Sequence, residues 1–110
     1  MLGWEIQVCR QPDGGSSPAT LDTPKGRMLA AWLIDAAGII PFYEMAAEGE
    51  AIDLGGNGYP SRYTAQAKQL LPRLPNLLSS AWELFTPIDE PATRECGGNE
   101  WLIVEAWDQS

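Results

Sequence analysis

The chain has 110 residues, 45% apolar and 20% charged, enough for one domain with a core and too few for two independent ones. Fifteen Asp and Glu against seven Lys and Arg give a net charge of −8, with the cations scattered from Arg10 to Arg94. That balance repels phosphate backbones and sets nucleic acid aside, while the absence of histidine removes His-dependent triads, the commonest general base and the commonest zinc ligand.

Residues 4–10 alternate Trp4, Ile6 and Val8 against Glu5, Gln7 and Cys9, the period of a half-buried strand. Residues 11–22 carry Pro12, Gly14, Gly15, Ser16, Ser17 and Pro18 without periodicity and read as a mobile surface loop. Residues 27–35 admit two readings. Thr23 and Pro24 fit a helix N-cap and first position, but Met28, Ala30, Trp32 and Ile34 alternate, which favours a strand. Beyond Gly38, Ile39, Ile40, Tyr43, Ala46 and Ala47 fall at helical spacing with Gly49 as a stop, so a short helix ends near Glu48.

A brief strand over 51–54 then enters a shaped connector. Gly55, Gly56 and Gly58 permit positive φ, Asn57 tolerates it, and Pro60 fixes its own φ while holding Tyr59 extended. The connector is expected to join a strand to a helix and to present Tyr59, Arg62 and Tyr63. As a nest of N–H groups it could hold an anion, but it matches neither GxGxxG nor the Walker spacing, and Arg62 is its sole cation. Thr64 reads as the N-cap of a helix over 65–71 that Pro72 ends, and Asn76 as the cap of the next. Leu77, Leu78, Ala81, Trp82, Leu84 and Phe85 lie on one broad helical face, predicting a helix to residue 85.

After a Pro- and Gly-rich loop over 86–99, residues 101–107 form the clearest strand. Leu102, Val104 and Ala106 point one way, and Trp101, Ile103, Glu105 and Trp107 the other. Apolar residues on both sides require that the strand be central and covered twice, or that the tryptophan face meet a partner or ligand. The fold expected is a single α+β domain, with a mixed or antiparallel sheet of about four strands and two to three helices packed on it.

No window approaches about eighteen consecutive apolar residues, and the start MLGWEIQVCRQ has neither a basic opening nor a small-residue cleavage site. A cytoplasmic protein without a membrane partner is expected. Cys9 and Cys96 then stay as reduced thiols. No cofactor is implied, and a metal site made of Asp and Glu alone would need a dense oxygen-ligand loop that is not present.

Three functions fit these residues. The leading one is a small acidic binding protein that self-associates as a homodimer through its apolar, Trp-rich sheet face. The second is an aromatic, acidic pocket for a cationic small molecule near Tyr59, Tyr63, Trp101 and Glu105, which together with Arg62 and Trp107 make the six candidate ligand- or partner-binding residues. The third is an enzyme working with carboxylates and tyrosines, although no spacing singles out catalytic residues.

Two stretches, AIDLGGNGYPSRYTAQAKQLLPRL at 51–74 and CGGNEWLIVEAWDQS at 96–110, resemble segments of small bacterial proteins carried on integron gene cassettes and other mobile elements. The resemblance covers about a third of the chain. It implies a cytoplasmic bacterial protein of adaptive, dispensable role, and it transfers no catalytic residue.

Overall fold

In the computed structural model, which describes residues 3–109, six strands form one sheet. They are β1 (Gly3–Cys9), β2 (Met28–Asp35), β3 (Ile52–Gly56), β4 (Ser61–Gln66), β5 (Glu83–Thr86) and β6 (Trp101–Asp108). Their order is β3-β4-β6-β1-β2-β5, and each neighbouring pair is antiparallel. Helix α1 (Ile40–Ala47) follows β2, and α4 (Glu90–Glu95) precedes β6. Between β4 and β5, α2 (Ala67–Leu70), a 3-10 turn and α3 (Leu74–Leu78) run on as one segmented helix.

All the helices serve one core. Ile6, Val8, Trp32, Leu102 and Val104 project from the sheet into a cluster with Phe42, Met45, Leu70 and Leu74. Tyr63 joins it and stacks on Phe42 with ring centroids 6.0 Å apart. Burial of this apolar surface is the main driving force for the fold, and the Cα radius of gyration of 12.6 Å matches the roughly 13 Å expected for a single domain of this length.

The α+β class and the strands near 4–10, 28–34, 51–54 and 101–107 agree with the sequence reading, as does the helix before Gly49. The sheet is larger than expected because two predicted helices are replaced, wholly or in part, by strands. Thr64 is not a helix cap: it sits inside β4, opposite Ile103 of β6. Helix α2 starts three residues later at Ala67, and no side chain caps it. Its first N–H groups instead donate to the carbonyls of Glu100 and Gly98, 2.8 and 3.0 Å away, so tertiary backbone contacts satisfy the helix start.

The second replacement lies at 77–85. Helix α3 stops at Leu78, and β5 pairs along β2 through Leu33, Trp32 and Ala31. The apolar set that suggested a buried helical face splits: Leu77, Leu78 and Ala81 pack on the core, while Trp82, Leu84 and Phe85 are exposed at 49%, 49% and 46%. Helix α4 was hidden in the loop expected over 86–99. Asp89 caps it by accepting a hydrogen bond from the Ala92 N–H at 3.1 Å.

The glycine connector joins two strands rather than a strand to a helix, since β3 turns into β4 through residues 57–60. Gly56 and Gly58 take φ of +113° and +89° there, and a Cβ on Gly56 would lie 2.3 Å from the Pro60 carbonyl oxygen. Asn57 does not adopt positive φ; its side-chain oxygen accepts from the Tyr59 N–H at 3.0 Å. The Gly55 N–H donates to Asp53 and the Gly58 N–H to Ser61. These donors are therefore spent inside the turn, which leaves the connector poorly suited to an anion.

Candidate functional site: the second face of the sheet

The face turned away from the helices is crossed by the long loop that joins β1 to β2. Its ends are pinned together by the Arg10 N–H donating to the Arg27 carbonyl at 2.8 Å and the Gly26 N–H to the Arg10 carbonyl at 2.7 Å. From there residues 11–26 lie on the sheet as a strap. The Trp101 N–H donates to Gly15, Gln11 donates to the Trp101 carbonyl, and the Ala19 N–H donates to Thr64 Oγ1. Cys9, Thr64 and Ile103 are almost fully buried on this face. Composition predicts the lack of regular structure in 11–22; the anchors come from partners far away in sequence.

A buried ionic cluster fastens the middle of the strap. Register places Arg62 of β4, Glu105 of β6 and Gln7 of β1 in one row across the sheet. The Arg62 guanidinium donates from Nη2 and Nε to Glu105 Oε2 at 2.6 and 3.2 Å. Its Nη1 donates to the strap carbonyls of Thr20 and Thr23 at 2.8 and 2.6 Å. Lys25, from the strap itself, reaches Glu105 Oε1 at 2.9 Å and the Gln7 side-chain oxygen at 2.9 Å. The Trp107 indole N–H also donates to Glu105 Oε1, at 3.3 Å.

Burial alone would raise the pKa of Glu105, but the hydrogen bonds and charges of Lys25 and Arg62 outweigh it and hold the carboxyl below its usual range. With two cations already on it, Glu105 is a fastening group and has no capacity left for a third. A second, half-buried pair roots the strap, where Arg10 donates to both oxygens of Glu100 at 2.8 and 2.9 Å.

Of the six candidate residues, the structure brings Arg62, Glu105 and Trp107 together. Trp101 stands on the same face, two residues along β6 from Ile103, and is half-buried. Tyr63 projects to the opposite side, in the helix-facing core, where burial pushes its phenol pKa up. Tyr59 is exposed at the β3–β4 turn, at 58%. These six therefore do not line one pocket. Both thiols are free, and burial raises their pKa values.

The strap leaves the next row open. Cross-strand register aligns Trp107 of β6, Glu5 of β1, Leu33 of β2 and Glu83 of β5. The first three are half-buried and Glu83 is exposed. Trp82 stands in the neighbouring row, its ring lying 3.1 Å from where a Cβ on Gly3 would stand. Glu5 accepts a hydrogen bond from Gln7 at 2.8 Å and forms none of the described salt bridges. The separate strands place Glu5 opposite in face to Trp4, and Leu33 to Trp32, without aligning them; Trp82 and Glu83 are missed because their segment reads as helix.

On the helix side a groove of about 440 Å³ lies between the end of β2 and α3, with Asp35 as its single carboxylate. Among the described residues, no three His, Cys, Asp or Glu side chains converge as metal ligands. No helix is long and apolar enough to cross a membrane. No family model matches the chain, and no curated protein or solved structure matches it either.

Proposed function

We propose that this is a small binding protein that docks a basic, extended protein segment across the open row Trp107, Glu5, Leu33 and Glu83. The observation that carries the reading is the composition of that row: two carboxylates alternate with an indole and a leucine, and no cation lies among them. An extended segment whose every second residue is by turns Lys or Arg and apolar matches this order, because residues two apart share a face. Its cations meet Glu5 and Glu83, and its apolar side chains cover Leu33 and Trp107.

Charge supports the same partner. Five of the chain's seven cations, Arg10, Lys25, Arg27, Arg62 and Arg73, are engaged in internal salt bridges. The surface facing a partner is therefore dominated by acid, which speeds encounter with a basic chain and slows encounter with a second copy. A homodimer on this face would gather four carboxylates, Glu5 and Glu83 from each copy, with no cation of the row to offset them, so the basic segment is the better fit. The cassette-like stretches give this proposal a cellular setting and add no residue to it.

The reading is tested by titrating the protein with the Lys/Leu hexapeptide Lys-Lys-Leu-Leu-Lys-Lys, which presents Lys, Leu and Lys on either face when extended, while following tryptophan emission, with Glu-Glu-Leu-Leu-Glu-Glu as control. A saturable change for the basic peptide, reduced in Trp107→Phe, is expected. Equal responses to both peptides, or none, would remove the proposal.

A further inference from the structure

The strap and the open row are joined by side chains, and the joint is Lys25. Its Nζ lies 2.9 Å from Glu105 Oε1 and donates to the Gln7 side-chain oxygen at 2.9 Å. Gln7 passes the contact on, its Nε2 donating to Glu5 Oε2 at 2.8 Å. Glu5 and Gln7 stand two apart on β1, so both side chains leave the same face of the sheet. A chain of two hydrogen bonds therefore runs from the strap to a carboxylate of the row.

The order of donors along this chain is fixed by the ammonium. Lys25 can only donate, and it turns the Gln7 amide so that its oxygen faces the strap and its NH2 faces Glu5. The reversed amide would set NH2 against ammonium and carbonyl oxygen against carboxylate, two repulsive contacts. Glu5 is thus held through Oε2, and its Oε1 makes no described hydrogen bond. A Glu side chain without such a hold samples several rotamers, and a partner that pairs with it must first immobilise it.

Fastening and positioning are divided between two cations. Arg62 is the pin: its side chain is 8% exposed, and it holds Glu105 Oε2 and the carbonyls of Thr20 and Thr23 without using Lys25. The Lys25 side chain, 34% exposed, reaches Gln7 as well as Glu105. Its removal leaves the Arg62 contacts of the strap in place.

We propose that Lys25 and Gln7 are positioning residues for Glu5, holding its carboxylate ready for a cation of the docked segment while the strap is closed; this rests on the docking role proposed for the row. Strap and row are then coupled, and the coupling is reciprocal: a segment seated on Glu5 favours the closed strap as much as the closed strap favours the segment. Lys25 also repels a basic segment by its charge, so its replacement acts in two directions. Gln7 carries the positioning alone, because it is neutral.

The test compares the native protein with Gln7→Met, Lys25→Met and the double variant. It reads the Glu5 rotamer from NMR three-bond couplings in the free protein, and the affinity for Lys-Lys-Leu-Leu-Lys-Lys from tryptophan emission. One χ1 rotamer is expected for Glu5 in the native protein, and averaging in all three variants. Gln7→Met, which changes no charge, should weaken peptide binding about three- to tenfold, the effect of having to order one long side chain. In the Lys25→Met background the same change should matter less than about twofold, because the amide there has no imposed orientation. A Gln7 that only stabilises the fold would lower the urea midpoint and leave the Glu5 couplings and the affinity unchanged. That result, or equal weakening by Gln7→Met with and without Lys25, would overturn the positioning role although the native protein binds the peptide. Failure of the native protein to bind at all would instead remove the docking role, and the positioning of Glu5 for a segment with it.

Discussion

Glu105 illustrates how a residue can be found in a sequence while its partners cannot. Its position on a strand with two apolar faces drew attention to it as part of a ligand pocket. Its partner Arg62 is 43 residues away, and the pairing exists only once β4 lies beside β6. Nothing local predicts β4, so nothing local predicts the ion pair. Removing one member of a buried pair strands the other charge, and Glu105→Ala should cost about 3–5 kcal/mol in chemical denaturation. The double variant Arg62→Met with Glu105→Leu should lose less than Glu105→Ala, because no buried charge is then left alone.

The same carboxyl gives stability a pH dependence. Its folded pKa lies below the unfolded value of about 4.3, so its contribution is fully present above that pH. The contribution is lost as pH falls through the folded pKa. Asp89, held down by its hydrogen bond to Ala92 and by Arg27, acts in the same direction. Melting followed by circular dichroism should show Tm falling from pH 6 to pH 3, with a shallower fall in Glu105→Gln.

At the scale of elements, alternation was legible in β1, and β2 and β6 were legible as apolar runs of strand length. It failed for β4, because Arg62 and Thr64 point away from the helices yet are covered by the strap. It failed for β5 for the opposite reason: Trp82, Leu84 and Phe85 are apolar and exposed, so hydrophobicity there does not report burial. Both edge strands, β3 and β5, carry a register irregularity, between Asp53 and Gly55 in one and opposite Ala31 and Trp32 in the other. Bulges on short edges discourage strand-to-strand association, which directs recognition to side chains rather than to an open edge.

The glycine turn was legible as a shape, and its partners were not. Gly56→Ala places a Cβ against the Pro60 carbonyl in a backbone conformation that side chains rarely adopt, and should cost at least about 1–3 kcal/mol. Gly97→Ala has no neighbour within 4 Å and should leave urea midpoints nearly unchanged. Parallel urea melts of the two variants check the contrast.

For the whole molecule, the sequence expected one α+β domain of strongly acidic character, and the fold explains how that charge is distributed. Internal salt bridges take up most of the cations, while the strap covers the centre of the tryptophan-bearing face and leaves one row uncovered. That row could not be read from the sequence because it crosses four strands, one of them unpredicted. Sedimentation velocity at micromolar concentration should give a monomer, since a symmetric contact through this face gathers both copies of Glu5 and Glu83 into one interface.

The central claim is that this open row reads basic, apolar segments. It is tested most directly by hexapeptide titration of the unmodified protein and of the double variant Glu5→Lys with Glu83→Lys at low and high salt. The account predicts saturable binding of the Lys/Leu peptide that weakens as salt rises, and a loss of at least about tenfold in the variant. Binding that is unchanged by the two reversals would contradict it.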